Sequence, residues 1–125
     1  MKKYLSLLLI VLLVGCGKHT INDIICERNS IDGYSYKEKV TVTMNGDKVD
    51  SIKNVLKFND LDEAILYCES LDNYKTYSDL KLRFECENKI ITIYNFEVLI
   101  EDDSIIGSTK ENIISLFTDN KYACK

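Results

Sequence analysis

The sequence predicts an α+β domain in which about five antiparallel strands and two helices follow the order βββαββα, with both helices packed on one face of the sheet. Apolar and polar residues alternate along several segments, which is typical of strands with one face in water. Two other segments repeat apolar residues at helical spacing and begin with capping residues. An Asn45-Gly46 pair lies between two alternating segments, as in a two-residue hairpin.

The first two strands are predicted over Ile24–Asn29 and Tyr34–Met44. Polar turn residues separate them. The second strand has a polar face that begins with Lys37 and Lys39. Its opposite face is apolar and consists of Tyr36, Val40, Val42 and Met44.

The third strand is predicted from the hairpin turn at Asn45-Gly46. That turn would pair Val42 with Val49 and Glu38 with Lys53, which joins apolar to apolar and acid to base. Two later apolar residues fall out of phase with this register, so we expect a bulge within residues 51–54. These two residues are Ile52 and Leu56.

The first helix is predicted over Asp60–Leu71. Asp60 can cap it, and Glu63 three residues later fits a capping box. The residues on one face share helical spacing and apolar character: Leu61, Ala64, Ile65, Cys68 and Leu71. Because a helix in this fold class packs its apolar face on the sheet, we expect Cys68 to point into the core.

The fourth strand is predicted over Asp79–Cys86, and a turn at Glu87-Asn88 leads to a fifth strand from Lys89 to about Ile100. This register would place Phe84 beside Ile91. The inward side chains of the fourth strand are Leu80, Leu82, Phe84 and Cys86.

The second helix is predicted from Thr109 to about Thr118. Ser108 and Glu111 have the spacing of a capping box at its start. The tail that follows contains Cys124.

The N-terminal region has the features of an export signal. Lys2 and Lys3 precede the apolar segment Tyr4–Val14, which is shorter than the roughly 20 residues that span a bilayer. The next residues complete Leu13-Val14-Gly15-Cys16, which resembles the lipobox of bacterial lipoproteins. The resemblance implies cleavage after Gly15 and a diacylglyceryl group on the sulfur of Cys16. Two acyl chains hold a protein stably at a membrane.

Three regions follow from this interpretation: a signal peptide at residues 1–15, a lipidated tether at 16–23 and a single domain at 24–125. The expected location is the outer face of the cell membrane, with membrane contact through the lipid on Cys16. Without Lys2 and Lys3, 14 basic residues remain against 20 acidic ones, a formal charge of −6. This charge argues against nucleic-acid binding and predicts no electrostatic attraction to anionic lipid.

The four cysteines after Cys16 favour two disulfides, because the chain is predicted to be exported and has no C-x-x-C pair typical of zinc sites. Four cysteines allow three pairings, and their number alone does not select one. The predicted faces bring Cys68 on the first helix toward Cys86 on the fourth strand. The remaining two, Cys26 and Cys124, would then join the ends of the domain.

Several features of the domain resemble small lipoproteins of low-GC bacteria, related in plan to the YehR-like lipoproteins. They are the early Ile25-Cys26-Glu27, the turn Asn45-Gly46-Asp47-Lys48-Val49, the helix opening Gly107-Ser108 and the final Lys121-Tyr122-Ala123-Cys124-Lys125. The resemblance implies a recurrent Cys26–Cys124 pair, which supports the pairing independently. It implies no catalytic residues, and it covers neither Cys68 nor Cys86.

The sequence predicts no catalytic residue, metal site or cofactor. His19 is the only histidine and lies in the tether, and the acidic run at residues 101–103 lacks the ligand spacing of a calcium loop. Ile90, Tyr94 and Phe96 fall opposite the inward side of the fifth strand and form a candidate partner patch. We therefore expect an interaction or envelope-accessory module that binds a protein partner. The alternative is a small-ligand or ion-binding accessory to a membrane transporter.

Overall fold

A computed structural model describes residues 23–30, 33–100 and 105–125 of the chain. The order of strands and helices is roughly the one that the sequence predicts. In chain order they are β1 (Ile24–Asn29), β2 (Tyr36–Asn45), β3 (Lys48–Phe58), α1 (Leu61–Tyr77), β4 (Phe84–Glu87), β5 (Ile90–Ile93), a 3-10 turn (Phe96–Leu99), α2 (Lys110–Asp119) and β6 (Ala123–Cys124).

The six strands form one sheet in the order β4-β5-β3-β2-β1-β6, and every neighbouring pair is antiparallel. The predicted fold class, an α+β domain with an antiparallel sheet and two helices, is therefore confirmed. The additional strand is β6, which lies in the segment predicted as a tail. It pairs with β1, and the backbone N–H of Lys125 donates to the carbonyl of Ile25 at 2.9 Å.

The β2–β3 hairpin turns one residue later than predicted. Asn45 pairs with Lys48, so Gly46 and Asp47 form the turn, and Gly46 has a φ of +66°. A register shift between Thr43 and Met44 leaves one residue of β3 unpaired near the turn. The predicted bulge therefore lies slightly earlier, before residue 51. It brings Ile52 and Leu56 into the core, as expected.

The corrected register replaces the two cross-strand pairs that the turn at Asn45-Gly46 predicted. Val42 faces Ile52 rather than Val49, and Glu38 faces Leu56 rather than Lys53. Glu38 shares the inward face of β2 with Tyr36 and Val40 and is buried.

The β4–β5 hairpin is shorter than predicted. Its turn is Asn88-Lys89, so Phe84 pairs with Ile93 rather than Ile91. The predicted fourth strand began at Asp79, but β4 begins only at Phe84. In the residues just before it, the side chain of Asn95 makes the backbone hydrogen bonds that a neighbouring strand would make. Its Oδ1 accepts from the backbone N–H of Arg83 at 2.7 Å, and its Nδ2 donates to the carbonyl of Lys81 at 2.7 Å.

Both helices begin at residues whose side chains accept a backbone hydrogen bond. Asp60 caps α1 as predicted and accepts from the N–H of Asp62, and the helix runs on to Tyr77, beyond its predicted end. For α2 the cap is Thr109 rather than Ser108, because Thr109 Oγ1 accepts from the N–H of Asn112 at 3.3 Å. The hydroxyl of Ser108 instead donates to the carbonyl of Ile105.

The core consists of two apolar clusters side by side on one face of the sheet. In β3, Ile52 belongs to the cluster under α2 and Leu56 to the cluster under α1. Residues four apart in a strand share a face, so both helices cover the same face. Among the described residues no helix covers the opposite face, which we call the open face. The two helices contribute Ile113 and Phe117, and Ala64 and Leu71, respectively.

Both predicted disulfides are present. Cys26 and Cys124 occupy directly paired positions of β1 and β6, with a Cα–Cα distance of 4.0 Å. Cys68 and Cys86 join α1 to β4, with a Cα–Cα distance of 6.3 Å. The first bond closes a long loop across the sheet edge, whereas the second attaches the helix to the opposite edge strand.

Candidate functional site

A groove lies between α1 and the edge strand β4, with a volume of about 490 Å³. The Cys68–Cys86 disulfide forms part of its wall. We define the α1–β4 groove by its largely apolar lining, which includes Leu61, Ala64, Ile65, Cys68, Phe84 and Cys86.

Two apolar side chains of this groove remain largely in solvent. Leu61 is 43% exposed and Ile65 is 46% exposed, although their helical spacing predicted that both would be buried. The helix instead turns Ala64 and Leu71 toward the core. The disulfide holds α1 beside the edge strand, and this part of its apolar face stays in contact with solvent.

The rim of the groove is acidic. Glu69 and Asp72 of α1 line it, and Glu85 and Glu87 of β4 line the adjoining hollow together with Leu61. An apolar floor with carboxylates at its edge has the composition that binds an apolar segment carrying basic residues.

The open face of the sheet carries a second distinctive surface. Four exposed side chains project from the centre of this face, and we call them the lysine face: Lys37 and Lys39 of β2 with Lys53 and Lys57 of β3. Lys37 lies directly opposite Lys57, and Lys53 lies opposite Thr41. Lys39 lies between Val55 of β3 and the exposed Glu27 of β1.

The pairing of Lys37 with Lys57 is unfavourable within the domain itself. Like charges directly opposite each other in a sheet are destabilising, since their Cβ atoms lie roughly 5 Å apart. In the part of the chain that the structure describes, the only ion pair is the buried one between Arg28 and Glu38. The positive charges of Lys37, Lys53 and Lys57 are therefore available to an anion outside the domain, whereas Lys39 has Glu27 directly opposite.

The predicted partner patch is only partly assembled. Ile90 and Tyr94 are exposed, and the hydroxyl of Tyr94 donates to Glu85 Oε2 at 3.0 Å. This hydrogen bond raises the pKa of Tyr94. Phe96 does not join them, because the chain leaves the sheet after Ile93 and the 3-10 turn packs Phe96 against both core clusters.

A buried polar cluster separates the two apolar clusters and was missed by sequence reasoning. The carboxylate of Glu38 accepts from Arg28 Nε, from Asn54 Nδ2 at 2.8 Å and from the hydroxyl of Tyr122 at 2.9 Å. The guanidinium of Arg28 lies 4.0 Å above the ring of Tyr122. One signal for this cluster exists in the sequence, because Glu38 occupies an apolar position of the β2 alternation.

Burial and charge shift two pKa values in this cluster. Desolvation and then the charge of Glu38 raise the pKa of Tyr122 far above its ordinary range. Desolvation alone would lower the pKa of Arg28, but the hydrogen bond and charge of Glu38 outweigh it and raise that pKa. Both carboxylate oxygens of Glu38 are occupied by the protein's own donors, so the cluster links β1, β2, β3 and the C-terminal segment rather than forming an open reaction centre.

Other predicted features lie outside the described residues or lack the geometry of a site. Cys16, the tether residue His19 and the acidic run at 101–103 lie outside the described residues. The described part of the chain holds no group of three or more His, Cys, Asp or Glu residues that could bind a metal ion. Among the same residues, no helix combines the length and apolar character needed to cross a bilayer.

Comparisons with protein-family models, with curated proteins and with solved structures found no match to this chain. The resemblance to YehR-like lipoproteins therefore stays a prediction. The two surfaces of the described domain that bear on its function are the α1–β4 groove and the lysine face.

Proposed function

We propose that this chain is a lipid-anchored lipoprotein of the outer face of the cell membrane, whose domain is a non-catalytic interaction module for a protein partner. The observation that supports the module is the exposure of Leu61 and Ile65 in the α1–β4 groove. Exposed apolar side chains gathered beside a polar rim are a common mark of protein-binding sites.

The partner's chemistry follows from the groove. Its floor accepts apolar side chains, and the carboxylates of Glu69 and Asp72 favour lysine or arginine beside them. Among the described strands, β4 lies at the edge of the sheet and has no neighbour on one side, so its backbone groups there can pair with an added strand. We therefore expect an apolar segment with basic flanks, extended along β4 and pairing with its backbone.

Site-specific photocrosslinking in intact cells tests the module. A photoreactive residue replaces Ile65 in the groove, and a matched variant carries it at Tyr77, which is 95% exposed near the far end of α1. The expected result is one discrete protein adduct from position 65 that position 77 does not give. No adduct from position 65, or the same adducts from both positions, would contradict the proposed groove.

Metabolic labelling with a radioactive fatty acid tests the anchor. The wild type is expected to incorporate the label, and Cys16→Ser is expected to lose it, because the lipobox-like ending places the acylated sulfur at that residue. Cys124→Ser serves as a control, since its sulfur belongs to a disulfide in the structure. Undiminished labelling of Cys16→Ser would refute the anchor.

A second candidate is binding of a small apolar ligand as an accessory to a membrane transporter. The volume of the groove, about 490 Å³, supports it, since small-molecule sites commonly measure roughly 300–1,000 Å³. Native mass spectrometry of protein extracted from its own membrane distinguishes the two candidates. A bound small molecule that is lost in Ile65→Lys favours the ligand, and its absence favours the protein partner.

A further inference from the structure

We infer that the lysine face docks on anionic lipid headgroups of the membrane that carries the anchor, so that the open side of the sheet rests on the membrane surface. This inference rests on the proposed lipid anchor, because an anchored domain stays close to a headgroup layer. It assigns an occupant to the sheet face that neither helix covers.

The charge of the chain is distributed unevenly. On the open face between Lys37 and Thr43 of β2, and between Ser51 and Lys57 of β3, the outward residues include no acid. On the covered side, the exposed surface of α1 carries acidic residues, with one lysine in its last turn. They are Asp62, Glu69 and Asp72.

This segregation changes the expectation drawn from composition. The net formal charge of −6 for residues 16–125 suggested no attraction to anionic lipid, but net charge averages over both sides of the sheet. Headgroups within a Debye length, roughly 8 Å at physiological ionic strength, experience the side that faces them. A basic strip on β2 and β3 can therefore attract a surface that the whole chain would repel.

The neighbours of the lysines also suit a headgroup layer. Val55 lies opposite Lys39, and the exposed Ile90 lies opposite Lys57. Tyr94, four residues after Ile90, is also exposed and lies on the same face as Ile90. Apolar and tyrosine side chains among lysines are the composition of protein surfaces that lie in a membrane interface. The extended sheet surface matches a planar array of phosphates better than it matches a single small anion.

The strength of docking has an upper limit. Each lysine near an anionic surface strengthens association roughly fivefold. Removing two lysines should therefore lower the ratio of docked to undocked domains by up to roughly 25-fold. Glu27, Glu85 and Glu87 on the outer strands oppose docking and reduce this figure.

Lysine footprinting of the lipidated protein tests the inference. The protein is purified from membranes and reconstituted into vesicles of phosphatidylcholine alone or mixed equally with phosphatidylglycerol. A membrane-impermeant amine reagent then modifies exposed lysines, and peptide mass spectrometry measures each one. Lys110 and Lys121, at the two ends of α2 on the covered side, serve as internal controls.

The expected result is several-fold protection of the lysine face in the anionic vesicles only, with Lys110 and Lys121 unchanged and with protection lost in concentrated salt. Lys37→Gln with Lys57→Gln should abolish the protection of Lys39 and Lys53. The matched double variant Lys110→Gln with Lys121→Gln removes the same charge elsewhere and should keep it.

Protection is measured relative to the protein before reconstitution. Three results would overturn the inference: no protection of the lysine face in either vesicle, equal protection in both vesicles, and protection that concentrated salt leaves intact. The second would indicate a second copy of the chain or an apolar contact instead of headgroups. Failure of the anchor is separately visible, because an anchored protein floats with pure phosphatidylcholine vesicles. If flotation fails, protection can still be scored on protein mixed with anionic vesicles.

Discussion

The buried carboxylate of Glu38 is a position at which a single substitution should be strongly destabilising. Glu38→Ala removes the acceptor of three hydrogen bonds, from Arg28 Nε, Asn54 Nδ2 and the hydroxyl of Tyr122. It also leaves the guanidinium of Arg28 without its counter-charge. Glu38 is 4% exposed, so water does not readily replace the carboxylate.

The cost follows from the donors that lose their partner. A buried polar group without a hydrogen bond costs about 1–3 kcal/mol, and removing one partner of a buried ion pair costs about 3–5 kcal/mol. The side chain of Arg28 is 15% exposed and keeps its hydrogen bond to the carbonyl of Asn120, so part of its charge reaches water. We therefore expect Glu38→Ala to lower the free energy of unfolding by about 3–4 kcal/mol.

Urea unfolding followed by circular dichroism, with both disulfides intact, measures this loss. Glu27→Ala is the matched control, because Glu27 is a neighbouring exposed glutamate on β1, and its effect should stay within about 0.5 kcal/mol. A second variant, Glu38→Met with Arg28→Met, should recover only the part of the loss that comes from the unpaired guanidinium, because Asn54 Nδ2 and the Tyr122 hydroxyl still lack their acceptor. A cost for Glu38→Ala below about 1 kcal/mol would refute the reasoning.

Two further predictions concern the cross-links and the pH dependence of stability. The disulfides close loops of 98 and 18 residues, which correspond to about 4.7 and about 3 kcal/mol of stability in the chain-entropy account. Replacing Cys26 and Cys124 by alanine should therefore lower the free energy of unfolding more than replacing Cys68 and Cys86. The reverse order in urea unfolding would contradict this prediction. The raised pKa keeps Tyr122 protonated in the folded protein at a pH where the tyrosine of the unfolded chain ionises. Its contribution to the free energy of unfolding is therefore complete below about pH 10 and is lost progressively as the pH rises above that value. Tyr122→Phe should therefore lose stability less steeply above pH 10, and an unchanged slope would exclude this residue as a cause.

Features that depend on residues close together in the sequence could be predicted, whereas features that depend on tertiary packing could not. Alternation identified the apolar face of β2, and helical spacing identified α1, because both patterns repeat within a few residues. The spacing could not show that Leu61 and Ile65 remain in solvent, because that depends on where α1 lies relative to β4. The position of a helix over a sheet is decided by tertiary packing.

The lysine face and the polar cluster show the same limit in another way. A turn at Asn45-Gly46 would have left Lys37 opposite a residue other than Lys57, and the shifted turn and the bulge together bring the two lysines into one pair. Glu38 was visible as an acid at an apolar position of β2. Its partner Tyr122 lies 84 residues away in sequence, so no local pattern connects them.

The two surfaces lie on opposite sides of the sheet, which determines how they can work together. α1 packs over the covered face through Ala64 and Leu71, whereas the lysine face projects from the other side. A partner in the α1–β4 groove therefore does not need to displace the sheet from the headgroups. We expect Lys37→Gln with Lys57→Gln to leave the identity of the adduct at position 65 unchanged. Loss of that adduct would show that the groove and the lysine face bind one partner together.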